Sequence, residues 1–190
     1  MTQSHSPIPA LLPEKVAIVT GASRGLGAEI AKQMAAAGAL VCVNYLNSKQ
    51  AADQVVADII AADGKAFSYQ ADVTELEQVQ AMVAEVVTRY GRIDILVNNA
   101  LPNYQFNPSA EYTSIETVKW EHFSQQMDGI VKGAVNTVQA VLPQMKAQKI
   151  GKVINFSTNL VYNPVVTYYD YTTAKSALIG LTRNLASELG

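Results

Sequence analysis

Short apolar segments alternate with longer amphipathic segments along this chain. Five apolar runs rich in β-branched residues predict strands, with the sequences KVAIVT, LVCVNY, KAFSYQ, IDILVNN and KVINFS. The segments between them have the period of helices, which we predict to run to about residue 38 and over 48–62, 74–90, 116–147 and 170–189. Because the strands are apolar nearly throughout, this alternation predicts a doubly wound α/β fold, in which helices cover both faces of a parallel sheet.

The composition is that of a folded protein with one domain. The chain has 190 residues, of which 49% are hydrophobic and 16% charged, so it can bury a core and is not an intrinsically disordered protein. Residues 1–13 contain three prolines and show no periodicity. We therefore predict a loose N-terminal arm over 1–13 and a single domain over 14–190.

Charge and cysteine content exclude several classes of function. Fourteen Lys and Arg against sixteen Asp and Glu give a formal net charge of -2, and no basic block is present that could bind a phosphate backbone. We therefore predict no nucleic-acid partner. The single cysteine, Cys42, cannot form an internal disulfide, and the sequence has neither an apolar run of membrane-spanning length nor a secretory signal pattern. These features predict a cytoplasmic protein with no membrane partner and no metal site.

A glycine-rich turn, TGASRGLG at 20–27, directly follows the first predicted strand and opens an apolar helix. Glycines at this point let the backbone turn sharply and approach a phosphate closely, while the free N–H groups and the dipole at a helix N-terminus attract an anion. The turn therefore predicts the pyrophosphate cradle of a Rossmann-type fold rather than a bare strand-to-helix connection. Its candidate cofactor-binding residues are Gly21, Ser23, Arg24, Gly25, Leu26 and Gly27.

Four motifs together resemble those of the classical short-chain dehydrogenase/reductases: TGASRGLG at 20–27, ADV at 71–73, NNA at 98–100 and YTTAK at 171–175. The resemblance runs from about Glu14 to Gly190, and within the family it is to the 3-oxoacyl-acyl-carrier-protein reductases of fatty acid synthesis. It implies an oxidoreductase that transfers a hydride between a nicotinamide cofactor and a carbonyl or secondary alcohol. The implied partners are a small carbonyl substrate or a carrier-bound acyl thioester, together with further copies of the chain in a homo-oligomer.

The end of the second strand bears on which nicotinamide cofactor binds. A carboxylate there would bond the ribose hydroxyls of NAD and repel the extra phosphate of NADP, but Tyr45 stands where the resemblance would put the acid. A guanidinium and polar donors for the 2'-phosphate come from Arg24, Asn44, Ser48 and Lys49. The sequence therefore predicts NADP(H) in preference to NAD(H).

The resemblance also assigns residues at the ends of the third and fourth strands. Asp72 and Val73 are expected to edge the adenine, and Asn99 and Ala100 to line the passage toward the nicotinamide ribose. Asn98 is interpreted as structural, and Leu101 replaces the glycine that is usual in the family. The polar loops over 101–112 and 158–168 follow strands four and five, at the sheet edge where open α/β sheets bind ligands.

Tyr171 and Lys175 are four residues apart on a predicted helix, so both side chains project from one face. A free phenol is too weak an acid to protonate a developing alkoxide readily, and a neighbouring ammonium would lower the phenol pKa. We therefore predict Tyr171 as the proton donor and Lys175 as the source of the field, and the resemblance implies that both also contact the nicotinamide ribose. The alternative is a packed tyrosine beside a surface lysine.

The hydroxyl that would polarise the substrate oxygen is either Thr158 or Ser157. Thr158 lies thirteen residues before Tyr171, at the family's usual serine position, whereas Ser157 would need a loop one residue longer. The resemblance further places Ile130 where an asparagine often supports a proton relay to the lysine. Asn136 is almost two turns further along and is a doubtful substitute, so the relay is left open.

The family fold usually continues beyond the tyrosine helix through two more strands, which the resemblance implies are lacking here. Strand five would then be an exposed apolar edge, a site for pairing or aggregation. An alternative function is therefore a non-catalytic nucleotide-binding or dimerisation module, which would bind nucleotide without turning over a substrate.

Overall fold

The computed structural model describes residues 11–102 and 106–190. Residues 1–10 of the predicted arm and 103–105 of the loop after the fourth strand lie outside this range. The strands are β1 (Val16–Val19), β2 (Leu40–Tyr45), β3 (Lys65–Gln70), β4 (Ile95–Asn98) and β5 (Lys152–Asn155). They form one parallel sheet in the order β3-β2-β1-β4-β5, which confirms the predicted doubly wound α/β fold.

The strand order places a crevice at the centre of the sheet. From β1 the chain moves outward to β2 and β3, and then returns to place β4 on the other side of β1, with Ala17 beside Ile95 and Val19 beside Val97. The loops after β1 and β4 therefore leave the sheet in opposite directions, and the gap between them is where doubly wound folds bind their ligands.

Helices pack on both faces of the sheet. They are α1 (Gly25–Ala36), α2 (Lys49–Ala61), α3 (Leu76–Tyr90), α4 (Trp120–Gln126), α5 (Gly133–Gln148) and α6 (Tyr169–Leu189). One core cluster buries α1 and α2 against the sheet, and a second buries α3 and α5 against the other face. In the second cluster Ile18 and Met82 are fully buried, and each contributes on the order of 2 kcal/mol of hydrophobic stabilisation. None of the helices within the described residues is both long and apolar enough to cross a membrane.

The fourth predicted helix differs from the observed one at its start and in its middle. Residues 115–117 form a turn and the Val118 N–H donates to the Ser114 carbonyl, so α4 begins only at Trp120. Between α4 and α5 the wider π-helical turn Met127–Lys132 connects the two segments. It is packed closely, because a Cβ at Gly129 would lie 2.6 Å from the Pro102 Cδ. π-Helical turns often occur at functional sites.

The predicted loose arm is wrong for its last residues. The Leu12 N–H donates to the Ala37 carbonyl at 2.9 Å, and the Leu12 side chain packs against the first core cluster. The Glu14 N–H bonds Gly38 in the same way, at 3.0 Å. Two backbone hydrogen bonds to the end of α1 and an apolar contact therefore anchor the chain before β1 begins. Residues that sequence periodicity leaves unassigned can thus pack on a helix terminus.

Strand β5 pairs only with β4 within the described residues, so its other edge is open. Ile154 is 46% exposed on this strand. A groove of about 770 Å³ runs along the edge between α5 and α6, and its lining includes Val141, Met145 and Leu185.

Candidate active site

The glycine turn adopts the backbone that its sequence predicts. Gly21 and Gly25 have φ values of 61° and 57°, in the left-handed region that side chains rarely adopt. A Cβ at Gly21 would lie 2.8 Å from the Ala100 Cα, and one at Gly27 would lie 2.6 Å from the Gly21 carbonyl oxygen. The turn can therefore pack against the loop after β4 only because these positions are glycine.

The N-terminus of α1 is open to an anion. Arg24, Gly25 and Leu26 are exposed, no side chain caps the first N–H groups, and the first turn carries no acidic residue. A Cβ at Gly25 would meet nothing within 4 Å. Uncapped N–H groups with a favourable dipole and open space fit a pyrophosphate. The residues present thus fit the phosphate part of a dinucleotide.

Thr20 joins the glycine turn to the loop after β4, a role that sequence reasoning missed. Its side chain is buried, and the Thr20 Oγ1 accepts hydrogen bonds from the Asn99 and Ala100 N–H groups, each at 3.0 Å. In return the Asn99 Nδ2 donates to the carbonyls of Thr20 and Gly21 at 3.0 and 3.2 Å. Asn99 and Ala100 therefore lie directly against the turn. A threonine between an apolar strand and a glycine turn was the only signal in the sequence.

Tyr171 and Lys175 lie together in the first turns of α6. Both are buried, with exposed fractions of 8% and 3%, and the Lys175 Nζ lies 5.8 Å from the centre of the Tyr171 ring. The Nζ donates to the Phe156 carbonyl at 2.5 Å, which ties the start of α6 to the end of β5. Lys175 also lines a small cavity together with Thr20 and Ala100. Lys175 therefore faces the crevice beside the glycine turn with the Tyr171 ring next to it, and the alternative of a surface lysine is wrong.

The two candidate hydroxyls have different partners. The Thr158 side chain lies close enough to the Tyr171 phenol to lower its pKa, and the Thr158 Oγ1 accepts from the Leu160 N–H at 3.3 Å. The Ser157 hydroxyl instead donates to the Lys175 backbone carbonyl at 3.4 Å. The geometry brings Thr158 to the phenol, and Ser157 closes the loop onto α6.

The comparisons with known proteins identify the family. The family described as short chain dehydrogenase matches residues 15–190. The chain belongs to this family. Its relatives include the 3-oxoacyl-acyl-carrier-protein reductase FabG of Staphylococcus aureus, 39% identical over 177 residues that cover 92% of this chain and 68% of FabG. An uncharacterized oxidoreductase of Methylorubrum extorquens is 40% identical over 178 residues, which cover 94% of this chain and 68% of the relative.

A solved structure of a family member has the same fold. It is a 7α-hydroxysteroid dehydrogenase complexed with NADH and 7-oxo glycochenodeoxycholic acid, with a TM-score of 0.83 and 30% identity. The superposition covers 95% of this chain and 68% of that one. Short-chain dehydrogenases are oxidoreductases that use a nicotinamide cofactor, so this chain is placed in that class.

The pKa values around the pair differ from the sequence prediction. Burial raises the pKa of Tyr171, and the hydrogen bond with Thr158 partly opposes this rise. Burial also lowers the pKa of Lys175, to about 8. We predicted that the ammonium would lower the phenol pKa, and this is wrong for the chain alone. The lysine directs its charge to the Phe156 carbonyl, and Thr158 provides the stabilisation of the phenolate.

Asn44 is predicted as a donor to a 2'-phosphate, but both N–H groups of its side-chain amide already donate within the protein. Its Oδ1 accepts from the Gly21 N–H at 3.1 Å, and its Nδ2 donates to the carbonyls of Ala71 and Tyr69 at 3.0 and 3.4 Å. The prediction for Asn44 is therefore wrong, and this side chain instead fastens the glycine turn to β2 and β3. Tyr45, at the end of β2, is buried in the first core cluster.

The remaining candidates near the adenosine side are accessible. Arg24 and Ser48 are exposed, and Lys49 forms an ion pair with Asp53 at 2.5 Å. The Lys49 hydrogen bond lowers the pKa of Asp53, so the pair is charged at neutral pH. Arg24, which forms no ion pair among the described residues, is the cation best placed to bind a phosphate.

The loop after β3 is held by local and long-range hydrogen bonds. The Asp72 Oδ1 accepts from the N–H and hydroxyl of Thr74, both at 2.8 Å. The Asn136 Nδ2 donates to the Val73 carbonyl at 2.9 Å. Asn136 therefore positions the loop after β3 that is predicted to border the adenine. Because its amide is used there, Asn136 does not serve as the substitute in a proton relay to Lys175.

The fourth-helix position where an asparagine is often found is apolar here. Ile130 is 3% exposed and packs with Tyr171, Ala174 and Leu178. Beside it lies a cavity of about 10 Å³, lined by Thr20, Asn98 and Lys175 among others, which is room for one water.

Asn98 belongs to a chain of polar side chains that crosses the sheet. It accepts from the Thr137 hydroxyl at 2.7 Å and donates to the Asn155 Oδ1 at 2.9 Å. The Asn155 Nδ2 donates in turn to the Thr182 hydroxyl at 2.9 Å. Asn98 thus joins α5, β4, β5 and α6, as the structural interpretation predicted.

Proposed function

We propose that this chain is an NADP(H)-dependent carbonyl reductase, in which Tyr171, Lys175 and Thr158 act on the oxygen of a ketone or secondary alcohol. The observation that carries the proposal is the buried Lys175, whose Nζ lies 5.8 Å from the centre of the Tyr171 ring and which lines the same cavity as Thr20. A hydroxyl, a phenol and an amine thus meet next to an open pyrophosphate cradle. This is the arrangement that proton transfer to a developing alkoxide requires.

The glycine turn and the N-terminus of α1 would hold the pyrophosphate, and Arg24 would bind the 2'-phosphate. Asp72, Val73, Asn99 and Ala100 would border the adenine and the ribose. The bound nicotinamide supplies or accepts a hydride. In the reducing direction Thr158 donates a hydrogen bond to the ketone oxygen, which lowers the energy of the charge that develops there. Tyr171 gives its proton to that oxygen, so the alcohol leaves neutral and Thr158 stabilises the phenolate, while Lys175 would hold the nicotinamide ribose.

The relatives support a proposal for the substrate class. FabG of Staphylococcus aureus is named for a 3-oxoacyl thioester, and the hydroxysteroid dehydrogenase structure holds a fused-ring ketone. We propose a 3-oxoacyl thioester as the substrate of this chain. A panel of 3-oxoacyl thioesters and simple ketones with NADPH tests this. We expect Tyr171-dependent oxidation of NADPH with at least one thioester, and no turnover across the panel would contradict the proposal.

The second candidate is a nucleotide-binding or dimerisation module without turnover. The buried Ile130, in place of an amide that could support a proton relay, favours it. Binding of NADPH without any Tyr171-dependent turnover would support this module. In either case we propose a homo-oligomer, which light scattering of the purified chain measures.

Arg24 is expected to set the cofactor preference. The Kd for NADPH should be lower than that for NADH, and Arg24→Ala should raise the NADPH Kd about tenfold while changing the NADH Kd less than twofold. The reason is that a charge-assisted hydrogen bond contributes about 1.5–3 kcal/mol and only NADPH carries the extra phosphate. Fluorescence titration with each cofactor measures this.

Lys32→Ala is the matched control for Arg24→Ala. It removes one positive charge from the same helix, at a side chain that is paired with Asp58. Both Kd values should then stay within twofold of wild type. Tighter binding of NADH than of NADPH by the unaltered chain would show that the assignment of NADP(H) is wrong.

Alanine variants of Thr158 and Ser157 should differ in kcat. Thr158→Ala is expected to lower kcat about a hundredfold, because it removes a hydrogen bond to the oxygen on which charge develops. Ser157→Ala should change kcat less than fivefold, since its hydroxyl bonds only the Lys175 carbonyl at 3.4 Å. Steady-state kinetics of the two variants give both values. Equal losses, or a larger loss at Ser157, would count against Thr158.

A further inference from the structure

The loop after β4 lays an aromatic ring over the proposed proton donor. The centroid of the Phe106 ring lies 5.2 Å from that of Tyr171, with an interplanar angle of 89°, and 5.5 Å from that of Tyr168, at 80°. The two tyrosines are 8% and 6% exposed, whereas Phe106 is 53% exposed. One part of the Phe106 ring therefore covers buried tyrosines, and the rest of it faces solvent at the site.

This wall is built from two loops that are joined to each other. The Thr167 hydroxyl, from the loop after β5, donates to the Thr113 carbonyl, from the loop after β4, at 2.6 Å. The Tyr112 ring lies 6.4 Å from the Tyr168 ring and continues the aromatic contact. Phe106 thus rests on a packed layer above α6 and belongs to the site's wall.

An exposed phenyl ring at this place has a chemical consequence. A carbonyl that approaches the Tyr171 phenol from the side of the Phe106 ring brings its substituents past that ring. An apolar substituent gains binding free energy by burying its surface against the exposed part of a phenyl ring. A short or polar substituent gains little from the same contact.

We propose that Phe106 is a specificity-determining residue, whose ring binds the apolar substituent of the carbonyl substrate and so selects carbonyl compounds with an extended apolar group. The inference rests on the proposed function, because it assumes that a carbonyl reaches Tyr171. It adds a substrate class that Tyr171, Lys175 and Thr158 do not define. The burial that raises the pKa of Tyr171 agrees with a ring covering the phenol.

The test compares two thioesters of N-acetylcysteamine, 3-oxobutanoyl and 3-oxooctanoyl, with NADPH as the reductant. We expect the unaltered chain to have the higher kcat/KM for the longer substrate. Phe106→Ala should lower that kcat/KM about tenfold, mainly through KM, and lower the value for the shorter substrate less than twofold. Phe106→Leu keeps an apolar side chain, so its kcat/KM for the longer substrate should lie between the values of wild type and Phe106→Ala. If the alanine variant does not fold, the leucine variant is used for the same comparison.

Trp120→Ala is the matched control, since it also removes an exposed aromatic ring, one that stacks on Phe123 at 5.9 Å. It should leave the ratio of the two kcat/KM values unchanged. If the Phe106 variants are active and have the same ratio of kcat/KM values as wild type, the specificity role of Phe106 is wrong, and the proposed reductase activity is unaffected. A wild type that reduces neither thioester nor any simple ketone would overturn the reductase, and the specificity role with it.

A spectroscopic measurement gives a second, independent outcome. With 13Cζ-labelled tyrosine, the Tyr171 resonance is the one that disappears in Tyr171→Phe, and its titration reports the phenol pKa. Removing the ring that covers the phenol should lower this pKa in Phe106→Ala but not in Trp120→Ala, because water then reaches the phenolate. An unchanged titration would contradict the contact on which the proposal depends.

Discussion

Replacing Tyr171 by phenylalanine is expected to lower kcat for ketone reduction by about a thousandfold, while the Kd for NADPH stays within threefold of wild type. The phenol is the only group in the proposed constellation that carries a transferable proton at the substrate oxygen, and general acid catalysis typically contributes a factor of about 10²–10⁴. Its Thr158 partner remains in place to bind the substrate oxygen. Single-turnover oxidation of NADPH and fluorescence titration measure the two quantities.

Tyr169→Phe provides the control, because Tyr169 precedes Tyr171 on α6 and its phenol has no place in the proposed constellation. Its kcat should remain within twofold of wild type. If Tyr171→Phe kept more than a tenth of the wild-type kcat, another group would be supplying the proton. The oxidoreductase assignment from the family would stand in that case, and the proposed proton donor would have to change.

Local patterns were enough to predict the scaffold. The apolar runs predicted all five strands, and the parallel order followed from helices that alternate with them. The i, i+4 spacing of Tyr171 and Lys175 placed both residues on one face of α6, because a helix determines that relation without help from the rest of the chain. Features that depend only on neighbours within a few residues are therefore readable from sequence.

The errors concern contacts between residues far apart in the chain. Asn44 looked like a free donor at a strand end, yet its amide is used by Gly21, Tyr69 and Ala71. Thr20 was not singled out, although it accepts from two N–H groups about 80 residues away. A sequence pattern states which groups can form hydrogen bonds, but the partner across the sheet decides which ones do.

The same reasoning explains the electrostatics of the pair. The spacing of Tyr171 and Lys175 predicted a field acting on the phenol, but it contained no information on burial. In the structure desolvation dominates both groups, since it raises the pKa of Tyr171 and lowers that of Lys175 to about 8. The packing of Ile130 against Tyr171 adds an apolar wall at the position where the family often has an asparagine. The contacts of Lys175 therefore only partly offset the desolvation of its charge. Burying this cation lowers the free energy of unfolding.

Replacing Lys175 by methionine is accordingly expected to inactivate the protein and to stabilise it at neutral pH. The shift of the lysine pKa from 10.5 to about 8 corresponds to about 3 kcal/mol against the charged folded form. Removing the buried charge should stabilise the folded state by that amount, but the variant also loses the hydrogen bond to the Phe156 carbonyl, which destabilises it by about 1 kcal/mol. The free energy of unfolding should therefore rise by about 2 kcal/mol at pH 7, while kcat falls at least about a hundredfold because the proposed contact of Lys175 with the nicotinamide ribose is lost.

The dependence on pH gives this prediction its sign. Between pH 8 and 10.5 the unfolded chain keeps the Lys175 proton that the folded chain has lost, so the wild-type stability contributed by this group rises with pH. The advantage of the methionine variant should therefore shrink over this range and reverse by about pH 10.5, where only the missing hydrogen bond separates the two proteins. Urea unfolding of both proteins from pH 7 to 10.5 measures the difference between their free energies of unfolding. Groups that titrate in both proteins do not contribute to this difference. A variant that is less stable than wild type at pH 7 would mean that the buried ammonium is compensated within the fold, and that its pKa is not lowered.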